Sequence, residues 1–227
     1  MILYIDEDSD DIWFPPQEEA NEEGILALGG DLRIERLILA YNMGIFPWYN
    51  PDEMPMWFCP NPRFVLYPEK IKVSDSMKNI IKKNIFQVTY NQRFTEVVEW
   101  CGKIKRNYGS GTWVSEEIIS SYSRLHDLGR ALSVEVWQNQ ELIGGLYGVI
   151  VGNIFVGESM FAKVSNASKF ALIKFIEEFT NKGLQLIDCQ VHTSHLESLG
   201  AEPIDRIEYL KLLEKAKLEP NFAKEYF

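Results

Sequence analysis

The run LIDCQVHTSHLESLG, residues 186 to 200, gathers an acid, a thiol, an amide and two imidazoles: Asp188, Cys189, Gln190, His192 and His195. A metal centre, a thiol nucleophile or a neutral polar cluster could each draw on such a set. His192 and His195 lie three apart, which on a helix places them on one side, and Asp188 could join them. Three ligands from one short stretch that changes from strand to helix make an awkward coordination shell, so no metal is expected. Alternation along a strand puts Leu186, Asp188 and Gln190 on one face and Ile187, Cys189 and Val191 on the other. Cys189 is therefore expected to be a buried, inert thiol. The same parity in NIFVGESMF groups Val156, Glu158 and Met160. An unpaired buried carboxylate is costly. Glu158 and Asp188 thus either cap loops or pair with basic side chains, or else form a polar cluster at the floor of a pocket.

The elements that must hold these residues follow from pattern. LQLIDCQV reads as a strand, then a short helix ends at Gly200. Before it, Leu172, Phe175, Ile176 and Phe179 give helical spacing from near Ser165, and Gly183 is placed to end that helix. ALSVEVWQ, ELIGGLYGVIVG and NIFVGESMF read as strands. Ser115 to His126 reads as a helix with Ser115 as N-cap and Glu116 and Glu117 in its first turn. FTEVVEWCGKIKR and the segment from Val73 to Asn84 are helical, with FQVTY as a strand between them. Asp31 is placed to cap a helix through Ile34, Leu37, Ile38 and Tyr41 that Gly44 ends. IFPWYNPDEMPMWFCPNPR is too rich in proline for a helix or central strand and reads as a folded loop. That loop marks a seam, giving a small N-terminal α/β domain over residues 1–62 and a larger domain over 63–227. Hairpin strands followed by helix and strand suit an α+β fold with a mixed sheet flanked by helices.

Composition excludes several classes. With 227 residues, 46% hydrophobic and 25% charged, the chain has ample material for a core. A net charge of −10 gives no global pull toward nucleic acid, so any RNA contact needs a local basic patch. The helix SMKNIIKKN offers one, with Lys78 and Lys82 on one face and Lys83 beside them; Lys103, Lys105 and Arg106 form a second small cluster. Three cysteines without CxxC spacing exclude a disulfide framework. The acidic start is unlike a secretory signal, and no apolar run spans a bilayer, so a cytoplasmic protein is expected. Trp48, Trp57 and Trp113 sit in turn contexts, which favours at least one stacking platform.

GGDLRIERLILAYNMGIFPWY, NPRFVL, GTWV, SVEVW, LIGGLYGV, GESMF, NASKFAL, LIDCQ and HLESLGA together resemble the bacterial leucyl/phenylalanyl-tRNA–protein transferases, over nearly all of residues 12–210. The resemblance implies a C-terminal domain of the GNAT acetyltransferase type. It implies transfer of Leu or Phe, and Met weakly, from aminoacyl-tRNA to the α-amine of proteins with N-terminal Arg or Lys, marking them for N-degron degradation. The family's central residues fall on Glu158, Asp188 and Gln190. Trp48 and Trp113 match the indoles that hold the tRNA's terminal adenosine, and Lys78, Lys82 and Lys83 match its basic helix. Selection of Leu and Phe calls for an apolar pocket, for which Leu146, Phe155, Met160, Phe175 and Phe179 are the candidates. The aminoacyl ester is already activated, so no cofactor is expected and aminoacyl-tRNA is a co-substrate. MWFCPNPR departs from the usual form at Phe58, Cys59 and Asn61, and ALSVE does so at Leu132. Two alternatives are the same chemistry on N-terminal Asp or Glu, and a GNAT-type acyl-CoA N-acyltransferase. The latter would carry a glycine-bearing pyrophosphate loop that KVSNASKF lacks.

Overall fold

Prolines decide where the first sheet can form. The computed structural model describes residues 2–7, 9–50, 53–103 and 115–227. In it β1 (Leu3–Ile5), β2 (Ile25–Gly29), β3 (Phe46–Pro47) and β4 (Met56–Phe58) build a four-stranded sheet in the order β1-β2-β4-β3, with α1 (Ile34–Asn42) between β2 and β3 in the chain. The Pro-rich run expected to be a loop thus carries two strands, and β4 is an inner one. β4 is short enough to fit between Pro55 and Pro60, and β3 ends at Pro47. Pro47 lies on the edge strand β3, and Pro55 just precedes β4, where its carbonyl accepts the Gly29 N–H at 2.8 Å. Trp57 is fully buried and donates its indole N–H to the Gly29 carbonyl at 2.8 Å, so it belongs to this sheet's core. Asp31 lies two residues ahead of the helix cap, Arg33, whose backbone N–H it accepts at 2.8 Å.

The second sheet has seven strands. In chain order come β5 (Arg63–Leu66), α2 (Asp75–Lys83), β6 (Gln87–Tyr90), α3 (Phe94–Lys103), α4 (Glu116–Asp127), β7 (Ala131–Gln138), β8 (Glu141–Val151) and β9 (Ile154–Ala162). They continue as α5 (Ala167–Phe179), β10 (Leu186–Asp188), α6 (Ser194–Ser198), β11 (Glu202–Ile204) and α7 (Arg206–Ala216). The strand order is β11-β5-β10-β9-β8-β7-β6, antiparallel except for the β9–β10 pair, so the sheet is mixed and the fold α+β. Ser115 caps α4 as expected, its Oγ accepting the Ile118 N–H at 3.1 Å. β11 and α7 lie beyond the last element expected from pattern.

Two cores sandwich this sheet. α5 covers one face, where Phe170, Phe175 and Phe179 pack with Leu132, Val134 and Phe155. The other face carries α1, α3, α4 and α7 through Leu37, Val97, Tyr122 and Leu213, together with Trp57 of the small sheet. No helix among the described residues is long and apolar enough to cross a membrane.

Two irregularities open a space in the sheet. Tyr147 pairs with Ser159 and Gly148 with Gly157, so Glu158 is an extra residue, a β-bulge. Close approach there requires glycine at 148, because a Cβ would fall 2.2 Å from the Val156 carbonyl oxygen. The bulge also reverses strand parity. Val156 packs on the helix α3/α4 side while Met160 packs with Phe155 on the α5 side, correcting the expectation that Val156, Glu158 and Met160 share a face. The second irregularity is that β9 and β10 stay in register only as far as Val156 opposite Asp188, after which the chains part.

Candidate active site

Where β9 and β10 part, a cavity of about 340 Å³ opens, lined by residues 157–160 of one strand and 187–191 of the other. Its walls are mostly apolar; Leu146, Phe155, Met160, Leu172 and Ile187 contribute, and Trp48 stands at the side facing the small sheet.

Asp188 is fully buried and fully bonded. Its Oδ1 accepts Arg63 Nε–H at 2.8 Å, and its Oδ2 accepts Arg63 Nη2–H at 2.6 Å and Tyr209 Oη–H at 2.7 Å. Arg63, equally buried, donates its remaining Nη1–H to the Gly44 carbonyl at 3.1 Å and lies between the rings of Phe46 and Tyr209. Burial opposes the guanidinium charge, but Asp188 more than offsets this and raises the pKa. A bidentate, desolvated pair of this kind is rigid, and the carboxylate has no charge to spare for a substrate. Its remaining work is local: Oδ1 also accepts the Gln190 backbone N–H at 2.8 Å.

That bond explains how Gln190 reaches the cavity. The strand stops at Asp188 and Gln190 adopts a left-handed backbone, φ 63°, with its carbonyl accepting Phe64 N–H at 3.2 Å. Alternation therefore does not run through residue 190. Asp188, Cys189 and Gln190 all line the cavity, and Val191 packs on the α3/α4 side instead of with Ile187 and Cys189. Burial pushes the Cys189 thiol well up, with Asp188 adding to it, so it stays protonated.

Gln190 Nε2–H donates to Glu158 Oε1 at 2.9 Å, and Tyr122 Oη–H donates to Glu158 Oε2 at 3.1 Å. Tyr122 in turn shares a 2.5 Å hydrogen bond with Tyr41 of α1. Although half-buried by surface, the Glu158 carboxylate is enclosed by these groups. Burial pushes its pKa up to about 7; the hydroxyls of Tyr41 and Tyr122 and the Gln190 amide pull the other way, and the Asp188 charge adds to the rise.

The remaining candidates divide. Trp48 is 48% exposed, tilted on Phe58 at 5.5 Å, and lines the cavity. Trp113 lies outside the described residues, as do Lys105 and Arg106. Leu146, Phe155 and Met160 line the cavity, but Phe175 and Phe179 do not. Both are wholly buried behind Phe155, Phe175 at 4.4 Å from its ring and Phe179 against Phe222 and Tyr226, because the period that marked them as one helix face points into the α5 core. Lys78, Lys82 and Lys83 are exposed on α2, with Lys78 paired to Asp75 at 3.0 Å; none lines the cavity. His192 pairs with Glu197 at 3.0 Å, while His195 lines the cavity, its pKa lowered by burial and then by Lys169. No three His, Cys, Asp or Glu side chains converge as a metal site among the described residues.

Pattern reading did not assign Arg63, Tyr209, Tyr122 or Tyr41. Arg63 had a usable signal, since a charge inside PRFVL needs a buried partner just as Asp188 does. The tyrosines had none, because each stands at an ordinary core position of its helix.

The family models and the most similar relatives by sequence agree with one another. Residues 65–214 match the family described as leucyl/phenylalanyl-tRNA protein transferase, and residues 30–61 match the N-terminal domain of that family. A leucyl/phenylalanyl-tRNA–protein transferase of Flavobacterium johnsoniae is 53% identical over 203 residues, covering 89% of this chain and 96% of the relative. That of Christiangramia forsetii is 51% identical over 202 residues, covering 88% and 95%. A solved GCN5-related N-acetyltransferase-like protein from Streptococcus suis overlaps loosely, at 14% identity and a TM-score of 0.37 over 63% of this chain and 59% of that one. The chain belongs to the leucyl/phenylalanyl-tRNA protein transferase family and is an aminoacyltransferase.

Proposed function

We propose that the chain moves a leucyl or phenylalanyl group, and methionyl weakly, from its tRNA to the α-amine of proteins that begin with Arg or Lys. In this reading the modified proteins enter N-degron degradation in the cytoplasm. The carrying observation is the Gln190 amide, whose nitrogen is committed to Glu158 at 2.9 Å and whose Oε1 is thereby left as an acceptor at the cavity wall. An attacking amine needs such an acceptor to be oriented against the ester carbonyl.

The chemistry is ester aminolysis. The neutral amine nitrogen attacks the carbonyl carbon, the C–O bond to the ribose breaks, and the ribose hydroxyl leaves with a proton while the amine loses one. An α-amine has a pKa of roughly 7.7–8.0, so a useful fraction is neutral near pH 7.5. Gln190 Oε1 holds the N–H of the attacking nitrogen. Glu158, bonded to the same amide, is the group on this wall suited to take up the proton at near-neutral pH. Asp188 acts one step back, since its charge is committed to Arg63.

Trp48 supplies an exposed ring for the terminal adenine, with Trp113 proposed as its counterpart. Leu146, Phe155 and Met160 take the leucyl or phenylalanyl side chain, and Lys78, Lys82 and Lys83 meet the tRNA backbone. The test mixes purified protein with labelled Leu-tRNA and peptides beginning Arg, Lys, Asp or Ala. Transfer to the Arg and Lys peptides alone is expected. Transfer to Asp, or from an acyl-CoA with none from Leu-tRNA, overturns the reading.

A further inference from the structure

Two tyrosines outside the cavity wall are built into the site. Tyr41 and Tyr122 are 2% and 1% exposed and come from helices far apart in sequence, α1 and α4. A buried hydroxyl is costly unless hydrogen-bonded, and each phenol carries one proton to give. Tyr122 gives its proton to Glu158 Oε2, so in the Tyr41–Tyr122 bond Tyr122 must accept and Tyr41 must donate. The chain thus runs in one direction, from Tyr41 through Tyr122 to one carboxylate oxygen. The other oxygen receives Gln190 Nε2–H.

We propose that Tyr41 and Tyr122 are positioning residues of the transfer site, a pair of donors that keeps Glu158 an acceptor at both oxygens and thereby fixes which end of the Gln190 amide faces the substrate. This rests on the aminolysis reading for its meaning, but the hydrogen-bond direction stands apart from it. A proton on Glu158 would require one of its oxygens to donate. Only a turned Gln190 amide can receive it without breaking the tyrosine chain, and a turned amide shows its NH₂ to the attacking amine. The tyrosines therefore favour the ionised carboxylate and the productive amide together. Burial first, then Glu158, push both phenols well up, so they remain donors throughout the working range.

The groups facing Glu158 are Tyr41 from α1, Tyr122 from α4 with Tyr147 of β8 behind it, and Asp188 and Gln190 from the end of β10. Asp188 is itself held by Arg63 of β5 and Tyr209 of α7, and His195 of α6 lines the same cavity.

The test is a carboxyl ¹³C NMR titration of the full chain labelled at glutamate, with Glu158 assigned by the signal lost in Glu158→Gln. Tyr122→Phe keeps the ring and removes the donor. It should move the Glu158 midpoint up by about one pH unit, a tenfold change in ionisation, and Tyr41→Phe should move it up as well. A midpoint unchanged in folded Tyr122→Phe overturns the proposal; should that variant fail to fold, an unchanged midpoint in Tyr41→Phe does so. Transfer kinetics separate the two ideas. Tyr122→Phe should lower kcat with KM for Leu-tRNA unchanged, and should have no further effect in the Glu158→Gln background. A midpoint shift in Tyr122→Phe together with a wild-type chain that transfers no leucine overturns the proposed function and leaves the tyrosine geometry standing.

Discussion

Replacing Glu158 by glutamine removes a single negative charge from the cavity wall, and its effect on stability can be worked from the carboxylate's surroundings. An ordinary glutamate releases its proton near 4.5, whereas this one is held up to about 7 by burial. A raised carboxylate contributes stability that is fully present below the unfolded value and is lost as pH rises through the folded one. At roughly 1.4 kcal/mol per pH unit of displacement, the wild-type chain should lose about 2.5 kcal/mol through this group between pH 5 and pH 8.5. Glutamine carries no charge to lose. Its carbonyl can still accept from Tyr122, and its amide can donate to a turned Gln190, so packing and hydrogen bonding survive. Glu158→Gln should therefore unfold at nearly the wild-type urea midpoint at pH 5 and be about 2.5 kcal/mol more stable at pH 8.5. The same variant should be slow in transfer, because the turned Gln190 presents the wrong end of its amide. Urea unfolding followed by fluorescence at the two pH values gives the answer. Parallel pH dependence in the two proteins, or a variant less stable at pH 8.5, refutes the enclosed-carboxylate argument.

Other expectations are as definite. Arg63→Ala leaves Asp188 buried without its partner and should cost about 3–5 kcal/mol in unfolding free energy; a loss under 1 kcal/mol by denaturant titration would count against a dry ion pair. Trp48→Ala should weaken binding of Leu-tRNA by about 1–3 kcal/mol in a filter assay, with the fold intact by circular dichroism. Met160→Trp should lower phenylalanyl transfer before leucyl transfer, since Met160 lines the cavity and the larger substrate has less room to yield; equal losses in competition assays would remove Met160 from the pocket.

Sequence pattern reached the outline of the site further than its geometry. The helices with polar caps were legible because their signals are local: Ser115 sits one residue ahead of α4 and bonds into its first turn. The two acids in apolar strands were legible as an energetic problem, and parity brought Asp188 and Gln190 together. The way they meet was not. A bulge at Glu158 and a left-handed turn at Gln190 each break alternation, and both depend on tertiary contacts: Gly148 against Val156, and Asp188 held by Arg63 from a strand more than a hundred residues earlier. The Pro-rich strands escaped for a related reason, because β3 and β4 are too short to show any period. Phe175 and Phe179 lie behind the cavity wall, since helical spacing marks an apolar face without saying whether a cavity or a core lies against it.

Most directly at stake is the claim that Gln190 orients the attacking amine. Single-turnover transfer from Leu-tRNA to an Arg-initiated peptide, comparing wild type with Gln190→Ala, measures it without interference from binding or product release. The variant's rate should be lower by about 100-fold or more at saturating substrates, the scale seen when one aligned hydrogen-bonding group is removed from a reacting centre, with Leu-tRNA affinity unchanged. A Gln190→Ala enzyme that transfers at the wild-type rate contradicts it.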